Sequence, residues 1–201
     1  MILRQAQYRT EYLSKNDILG SIPPRLNRGF LETIMKIAVL SDTHDHIWNL
    51  AKVLTQIKGE VEAIIHCGDV IAPFSVGMLA TSDLPTYVCL GNNDEDHIGM
   101  EKKANTKFTW IHIGQQFGEI EFDNRKVAFT HYPKLGELLA KSGEYDAVFY
   151  GHTHVSENKK FGRKLLLNPG SVCGIIDGKP AKASYAIYDT KTNSANIIEV
   201  K

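Results

Sequence analysis

The sequence predicts an α/β fold: two mixed β-sheets packed face to face, with helices flanking them. Three observations carry that expectation. From residue 35 onward, short apolar runs alternate with stretches of helical period. That is the rhythm of parallel strands joined by right-handed crossovers. The second half changes to hairpin patterns, punctuated by Asp123-Asn124 and by Gly162. Finally, 201 residues with 43% hydrophobic content allow one domain with a sizeable core.

The elements follow in order. Residues 1–34 hold scattered Ile, Leu and Tyr with no sustained period, and Pro23-Pro24 breaks any helix there. They read as an N-terminal extension, poorly ordered or a start-site artefact, ahead of a domain spanning 35–201. A targeting presequence is disfavoured because Glu11, Asp17 and Glu32 interrupt the basic residues. Residues 37–40 are a continuous apolar run, hence a buried strand. Residues 48–58 place Leu50, Val53, Leu54 and Ile57 at helical spacing. A second strand at 63–67, a short helix at 74–80 and a third strand at 86–90 complete a βαβαβ series. Residues 119–122 and 126–130 form a hairpin, 135–141 a helix and 147–150 a strand. A second hairpin spans 159–167, and strands at 184–188 and 195–200 close the chain.

Charge and composition exclude some functions. The 23 basic and 23 acidic residues cancel, so bulk attraction to nucleic acid or to an anionic membrane is not expected. No apolar run approaches a membrane span. Three cysteines, Cys67, Cys89 and Cys173, form no CxxC pattern and suit reduced, buried thiols in a cytoplasmic protein. Cys67 precedes Asp69 by two residues, so contact with a site there is the alternative to plain burial.

Five short motifs carry the chemistry: Asp42-Thr43-His44, Gly68-Asp69, Gly91-Asn92-Asn93-Asp94, His131, and Gly151-His152-Thr153-His154. Each has an ordinary explanation alone. Asp42 could start an Asx turn, Asp69 could cap a helix, Asn92 could sit in a plain turn, and a His-x-His pair could face solvent. Yet each motif falls just past the end of a predicted strand, and open α/β sheets bind ligands at that edge. Together they supply four imidazoles, two carboxylates and an amide oxygen. That nitrogen and oxygen set without thiolate suits Mn²⁺, Fe, Zn²⁺ or Ni²⁺, and not a structural zinc knot; Mn²⁺ is the expected ion, with Ni²⁺, Fe or Zn²⁺ as alternatives that availability decides among. Seven donors exceed one ion but serve two divalent ions if a carboxylate bridges. Paired ions are a device for phosphoryl-ester hydrolysis.

The order D-x-H, G-D, G-N, H, G-H-x-H resembles the calcineurin-like metallophosphoesterase superfamily. The segment Ile65-His66-Cys67-Gly68-Asp69, Lys141-Ser142-Gly143 and Asn168-Pro169-Gly170 resemble its small YfcE-type phosphodiesterases. The likeness runs from about residue 35 to 201, and such chains commonly open on a strand beginning Met-Lys, here Met35-Lys36. It implies that Asp42, His44, Asp69 and His154 hold one metal, and that Asp69, Asn92, His131 and His152 hold the other. Asp69 would bridge, and a metal-bridging hydroxide would attack a small or activated phosphodiester. Asp69, Asn92, Asn93 and Asp94 are the implied catalytic group, with Asp94 orienting the loop. The alternatives are a phosphomonoesterase of the same fold, or a non-catalytic interaction module related to the retromer subunit. Neither stable nucleic-acid binding nor a membrane partner is expected, and a homo-oligomer is left open.

One position departs from the pattern. Many superfamily members carry His directly after Gly-Asn, where it can protonate the leaving oxygen. This chain has Asn93, whose amide cannot donate a proton at neutral pH. His46 and His97 lie near the motifs and read as exposed loop histidines, either one able to substitute. Trp48 and Trp110 read as packing residues, and Lys159, Lys160, Arg163 and Lys164 as a solvated basic hairpin. Asn168-Pro169-Gly170-Ser171 reads as a turn that brings backbone near the site.

Overall fold

The computed structural model describes residues 35–111 and 115–201. The expectations for residues 1–34 lie outside the described residues. Four strands run parallel in the first sheet: β1 (Lys36–Leu40), β2 (Ala63–His66), β3 (Thr86–Val88) and β4 (Phe108–Trp110). The helices α1 (Ile47–Ile57), α2 (Pro73–Ala80) and α3 (His97–Lys103) connect them. In the second sheet, β5 (Phe117–Phe122) and β6 (Arg125–Thr130) form a hairpin. Helix α4 (Pro133–Ser142) then leads to β7 (Ala147–Phe149), parallel to β6. The hairpin β8 (Glu157–Phe161) and β9 (Lys164–Asn168) completes that sheet in the order β5-β6-β7-β9-β8. A two-stranded ribbon, β10 (Ile175–Ile176) and β11 (Lys179–Pro180), precedes β12 (Ser184–Asp189) and β13 (Ser194–Glu199). Those last two return to the first sheet, in the order β13-β12-β1-β2-β3-β4, antiparallel to β1 and to each other.

The layers follow from side-chain alternation along each strand. Ile37, Val39, Ala63 and Ile65 face inward and meet Val127, Phe129, Phe149, Leu165 and Leu167 of the second sheet in one buried cluster. Ala38, Leu40 and Ile64 face the other way, onto Leu50, Val53 and Ile57 of α1, Val76 and Leu79 of α2, and Met100 of α3. Ala128, Val148 and Leu166 do the same beneath Ala140 of α4. Both sheets are therefore covered on both faces, which is why their strands read as continuous apolar runs. Phe149 packs edge-on against Tyr188, ring centres 5.1 Å apart, at the middle of the inter-sheet layer. Truncating such a ring costs about 3–5 kcal/mol.

The structure corrects the sequence reading in places. The sequence showed none of α3, β4 and the β10–β11 ribbon. Trp48 is 70% exposed and does not pack in the core, whereas Trp110 does pack against the cluster beneath the first sheet's helices. Among the described residues, no helix is long and apolar enough to cross a membrane.

Candidate metal centre

The motif-bearing loops leave the carboxyl ends of β1, β2, β3, β6 and β7 and are stitched to one another. Asp42 N donates to Gly68 O at 3.0 Å, His44 N to Asp69 O at 3.1 Å, and Gly151 N to His131 O at 3.2 Å. The approach is close enough to fix residue type. A Cβ at position 91 would lie 2.1 Å from Asp69 Oδ1, and one at position 151 would lie 1.9 Å from Ser41 Oγ. Only glycine fits at either place.

All seven proposed ligands meet there. Asp42 and Asp69 are buried. His154 Nε2 lies 3.3 Å from Asp42 Oδ1, and His44 Nε2 lies 3.9 Å from the same oxygen and 3.4 Å from Asp69 Oδ2. His131 Nε2 lies 3.5 Å from Asp69 Oδ2. Asn92 Oδ1 is 3.1 Å from His131 Nε2 and 2.8 Å from His152 Nδ1, and those two nitrogens are 3.2 Å apart. Among the described residues, two groups have donor atoms mutually within 4.8 Å: Asp42, His44 and His154, and Asp42, Asp69 and His131.

The far side of two rings sets their tautomers. His131 Nδ1 donates to Cys67 O at 2.8 Å, and His154 Nδ1 to Ile175 O at 2.5 Å. A carbonyl only accepts, so both Nδ1 atoms carry hydrogen. Nε2 of each ring is therefore the nitrogen turned toward the carboxylates and the one that would bind a metal on giving up its proton, an arrangement that orients metal-ligating histidines. The Cys173 Sγ atom is 3.7 Å from His154 Nδ1, the nitrogen turned away from Asp42, so it supports the ring from behind.

Local backbone strain is concentrated in the same place. Asp42, His44, Asp69, His152 and His154 all have positive φ, between 44° and 73°. Each non-glycine residue in that region costs of order 1 kcal/mol or more and persists where the surroundings over-determine it. Asn92 and His131 do not share the strain, and Ile71, with φ 84° on the loop after Asp69, does.

The electrostatics fit a cation. His44 Nε2 is buried without a hydrogen-bond partner, its nearest charge being Asp69. The hydrogen bond to Asp42, then the Cys173 contact, raises the His154 pKa to about 10. The pairing with Asp69 likewise raises that of His44. Burial alone would push Asp69 up, but its pairing with His44, the charge of His131 and two hydrogen bonds from Asn93 hold it well below the usual carboxylate range. Converging imidazole nitrogens, one of them without a hydrogen-bond partner, and two buried carboxylates thus make a site in which a divalent ion would displace protons from the rings.

The neighbouring candidates take other places. Asn93 donates from N to Asp69 Oδ1 at 2.9 Å and from Nδ2 to Asp69 Oδ2 at 2.7 Å, so its amide braces that carboxylate. Asp94 does not point into the cluster. Its Oδ2 accepts from Asp69 N and Gly91 N, both at 2.8 Å, and its Oδ1 from Ile71 N at 2.7 Å. His46 and His97 are not free loop residues: His46 Nδ1 accepts from Asn49 N at 3.2 Å at the start of α1, and His97 Nε2 donates to Asp94 O at 2.6 Å. Asn168 is buried and donates to Gly151 O at 3.1 Å and Thr153 Oγ1 at 3.0 Å, beneath the His152 and His154 turn. Sequence reasoning missed the role of His66. It is wholly buried, bonds Thr43 Oγ1 at 2.7 Å between two proposed ligands, and leaves its Nδ1 unpartnered. Its place on the run leading to Gly68-Asp69 was the available signal.

Comparison with known proteins follows the same outline. The profile described as the calcineurin-like phosphoesterase superfamily domain matches residues 35–193. A phosphodiesterase from Methanocaldococcus jannaschii is 34% identical over 163 residues, covering 78% of this chain and 94% of that protein. The solved structure of an archaeal phosphodiesterase superposes with a TM-score of 0.73 at 31% identity, covering 82% of this chain and 99% of that one. The phosphoesterase YfcE from E. coli shares the fold, with a TM-score of 0.59 at 19% identity over 83% of this chain and 100% of that one.

Proposed function

The chain belongs to the calcineurin-like phosphoesterase superfamily, and from that premise we propose that it is a dinuclear metal-dependent phosphodiesterase acting on small or activated phosphodiesters. The central position of Asp69 carries the reading. Its Oδ2 lies 3.4 Å from His44 Nε2 and 3.5 Å from His131 Nε2, between the two sets of donors. Asp42, His44 and His154 would hold one ion, Asn92, His131 and His152 the other, and Asp69 would be shared. Mn²⁺ is the first choice, with Ni²⁺, Fe or Zn²⁺ compatible with the same donors. Such ions supply Lewis acidity and lower the pKa of water from about 15.7 towards neutrality.

The chain's own groups do the rest. Buried carboxylates and ring lone pairs fix the charge balance of the site. The Cys67 and Ile175 carbonyls keep His131 and His154 in the ligating tautomer. Asn93 holds Asp69 by two hydrogen bonds and has no proton to give a leaving group. General acid catalysis is worth about 10²–10⁴-fold, so esters of weakly acidic alcohols should be poor substrates. The test is a side-by-side assay of a chromogenic phosphodiester and its monoester with each of the four metals. A preference for the diester, abolished by chelator and restored by Mn²⁺ or Ni²⁺, is expected. Dominant monoester hydrolysis would select the phosphomonoesterase alternative, and full metal loading without turnover the interaction module.

A further inference from the structure

Nine large hydrophobic side chains stand exposed among the described residues, and six of them lie on the segments that carry the proposed ligands or bond to one. Trp48, Phe74 and Ile98 each occupy the second residue of a helix, in α1, α2 and α3 respectively. Those helices begin within a few residues of His44, Asp69 and Asp94, so all three side chains sit at the end of the first sheet that holds the site. Tyr132 and Val155 directly follow His131 and His154, and Ile175 gives its carbonyl to His154. Exposure runs from 38% for Tyr132 to 70% for Trp48 and Ile98.

Contacts tie the Tyr132 ring to two proposed ligands and the Trp48 ring to the turn that starts α1. The Tyr132 ring centre lies 5.4 Å from that of His131 and 6.2 Å from that of His152. The Trp48 ring meets that of His46 edge-on at 5.8 Å, and His46 lies two residues from His44. Asn49 Nδ2 donates to Val172 O at 3.0 Å, which holds the start of α1 beside the strand of chain carrying Cys173 and Ile175. A groove of about 430 Å³ between the distal ends of α1 and α2 lies at the other end of the sheet, by Gly59 and Ser82. The apolar surface and the candidate chemistry thus share one edge.

We propose that Trp48 and Tyr132 anchor an apolar rim that receives the ester group of the substrate, so that the natural substrate is a phosphodiester bearing at least one flat aromatic or similarly apolar substituent. The inference rests on the phosphodiesterase reading above and names its substrate class. A phosphodiester bound through its charged oxygens must place both organic groups immediately beside the ions; Tyr132 touches the rings of His131 and His152 there, and Trp48, Val155 and Ile175 are exposed apolar residues on the segments next to the other proposed ligands. Carbohydrate or short alkyl esters would leave these side chains in water. An aromatic group would cover them and stack.

The experiment holds the leaving group constant. Methyl, phenyl and 1-naphthyl esters of 4-nitrophenyl phosphate all release 4-nitrophenolate, so the cleaved bond is the same in each. With Mn²⁺-loaded protein, kcat/KM is expected to rise about tenfold from methyl to naphthyl, through KM. Trp48→Ala and Tyr132→Ala should each shrink the naphthyl-to-methyl ratio, while Phe161→Ala on the remote β8 end should leave that ratio alone. In parallel, diphenyl phosphate should quench tryptophan fluorescence more than dimethyl phosphate does, and Trp48→Ala should abolish the difference. Hydrolysis of all three esters without gradation overturns the rim and leaves the phosphodiesterase reading intact. No hydrolysis, but selective quenching by diphenyl phosphate, overturns the catalytic reading and leaves the rim. Absence of quenching overturns the rim in either case. So does a sedimentation profile in which Trp48→Ala converts a dimer to a monomer, because the face would then join two copies of the chain.

Discussion

Asp69 is where a change of a single atom type should matter most. Asn93 presents two N–H donors to its oxygens, and His44 and His131 face it from either side. In Asp69→Asn one oxygen becomes an NH₂ group pointing at other donors, and the shared anion is lost. Metal content should fall and phosphodiester hydrolysis should drop by more than about a hundredfold, with circular dichroism unchanged. Near wild-type rates at full metal loading would rule out a bridging role. His66 makes a separate prediction, in stability. Burial, the largest influence on it, lowers its pKa from 6.5 to about 4. The unfolded chain therefore binds the proton more readily, and stability is full above pH 6.5 and lost as pH falls from there towards 4. The loss is about 1.4 kcal/mol per pH unit in that window. His66→Gln can keep the bond to Thr43 Oγ1 without titrating, so its melting temperature should gain on the wild type between pH 6.5 and 5. A constant difference across that range would show that His66 does not titrate on unfolding.

The loops after β2 and β3 behave as one element because Asp94 joins them. Its carboxylate takes three backbone N–H groups, from Asp69, Ile71 and Gly91. Asp94→Ala strands those donors, at about 1–3 kcal/mol for each one that water cannot reach. A lower melting temperature is expected, together with metal affinity weakened about 10–100-fold, read by calorimetric titration. Unchanged metal affinity would reduce Asp94 to a purely local tie. The sequence exposed the elements whose side chains are buried with regular spacing: β1, α1, β2, α2 and the two hairpins of the second sheet. It hid α3 because Met100 is that helix's one buried residue, and β4 because none of Phe108, Thr109 and Trp110 is fully buried. Motif residues were legible because the proposed chemistry draws on their side chains. The Cys67 and Ile175 carbonyls that set two tautomers were not, since every residue carries a carbonyl. Trp48 was misread although its signal was present: it lies two positions before Leu50, away from the stripe of Leu50, Val53 and Ile57.

At the scale of the whole molecule, the two halves of the chain each supply part of one site. Asp42, His44, Asp69 and Asn92 come from the first sheet's loops, and His131, His152 and His154 from the second's. The inter-sheet layer around Phe129, Phe149 and Tyr188 sets their separation. Residues 1–34 contribute none of the proposed ligands, and the superfamily match begins at residue 35. The first strand is anchored without them: Met35 N donates to Thr190 Oγ1 at 3.3 Å and Met35 O accepts from the same hydroxyl at 3.0 Å. A chain beginning at Met35 should therefore keep its melting temperature within about 2 °C, which corresponds to less than about 1 kcal/mol for a domain of this size. Metal content and rate on a phosphodiester should also match those of the full chain. Purifying both lengths and comparing the three quantities tests this directly. An insoluble, metal-free or markedly slower short form would make residues 1–34 part of the working enzyme, and apolar residues there, such as Ile18, Leu19, Ile22, Leu26 and Phe30, would be the first to substitute.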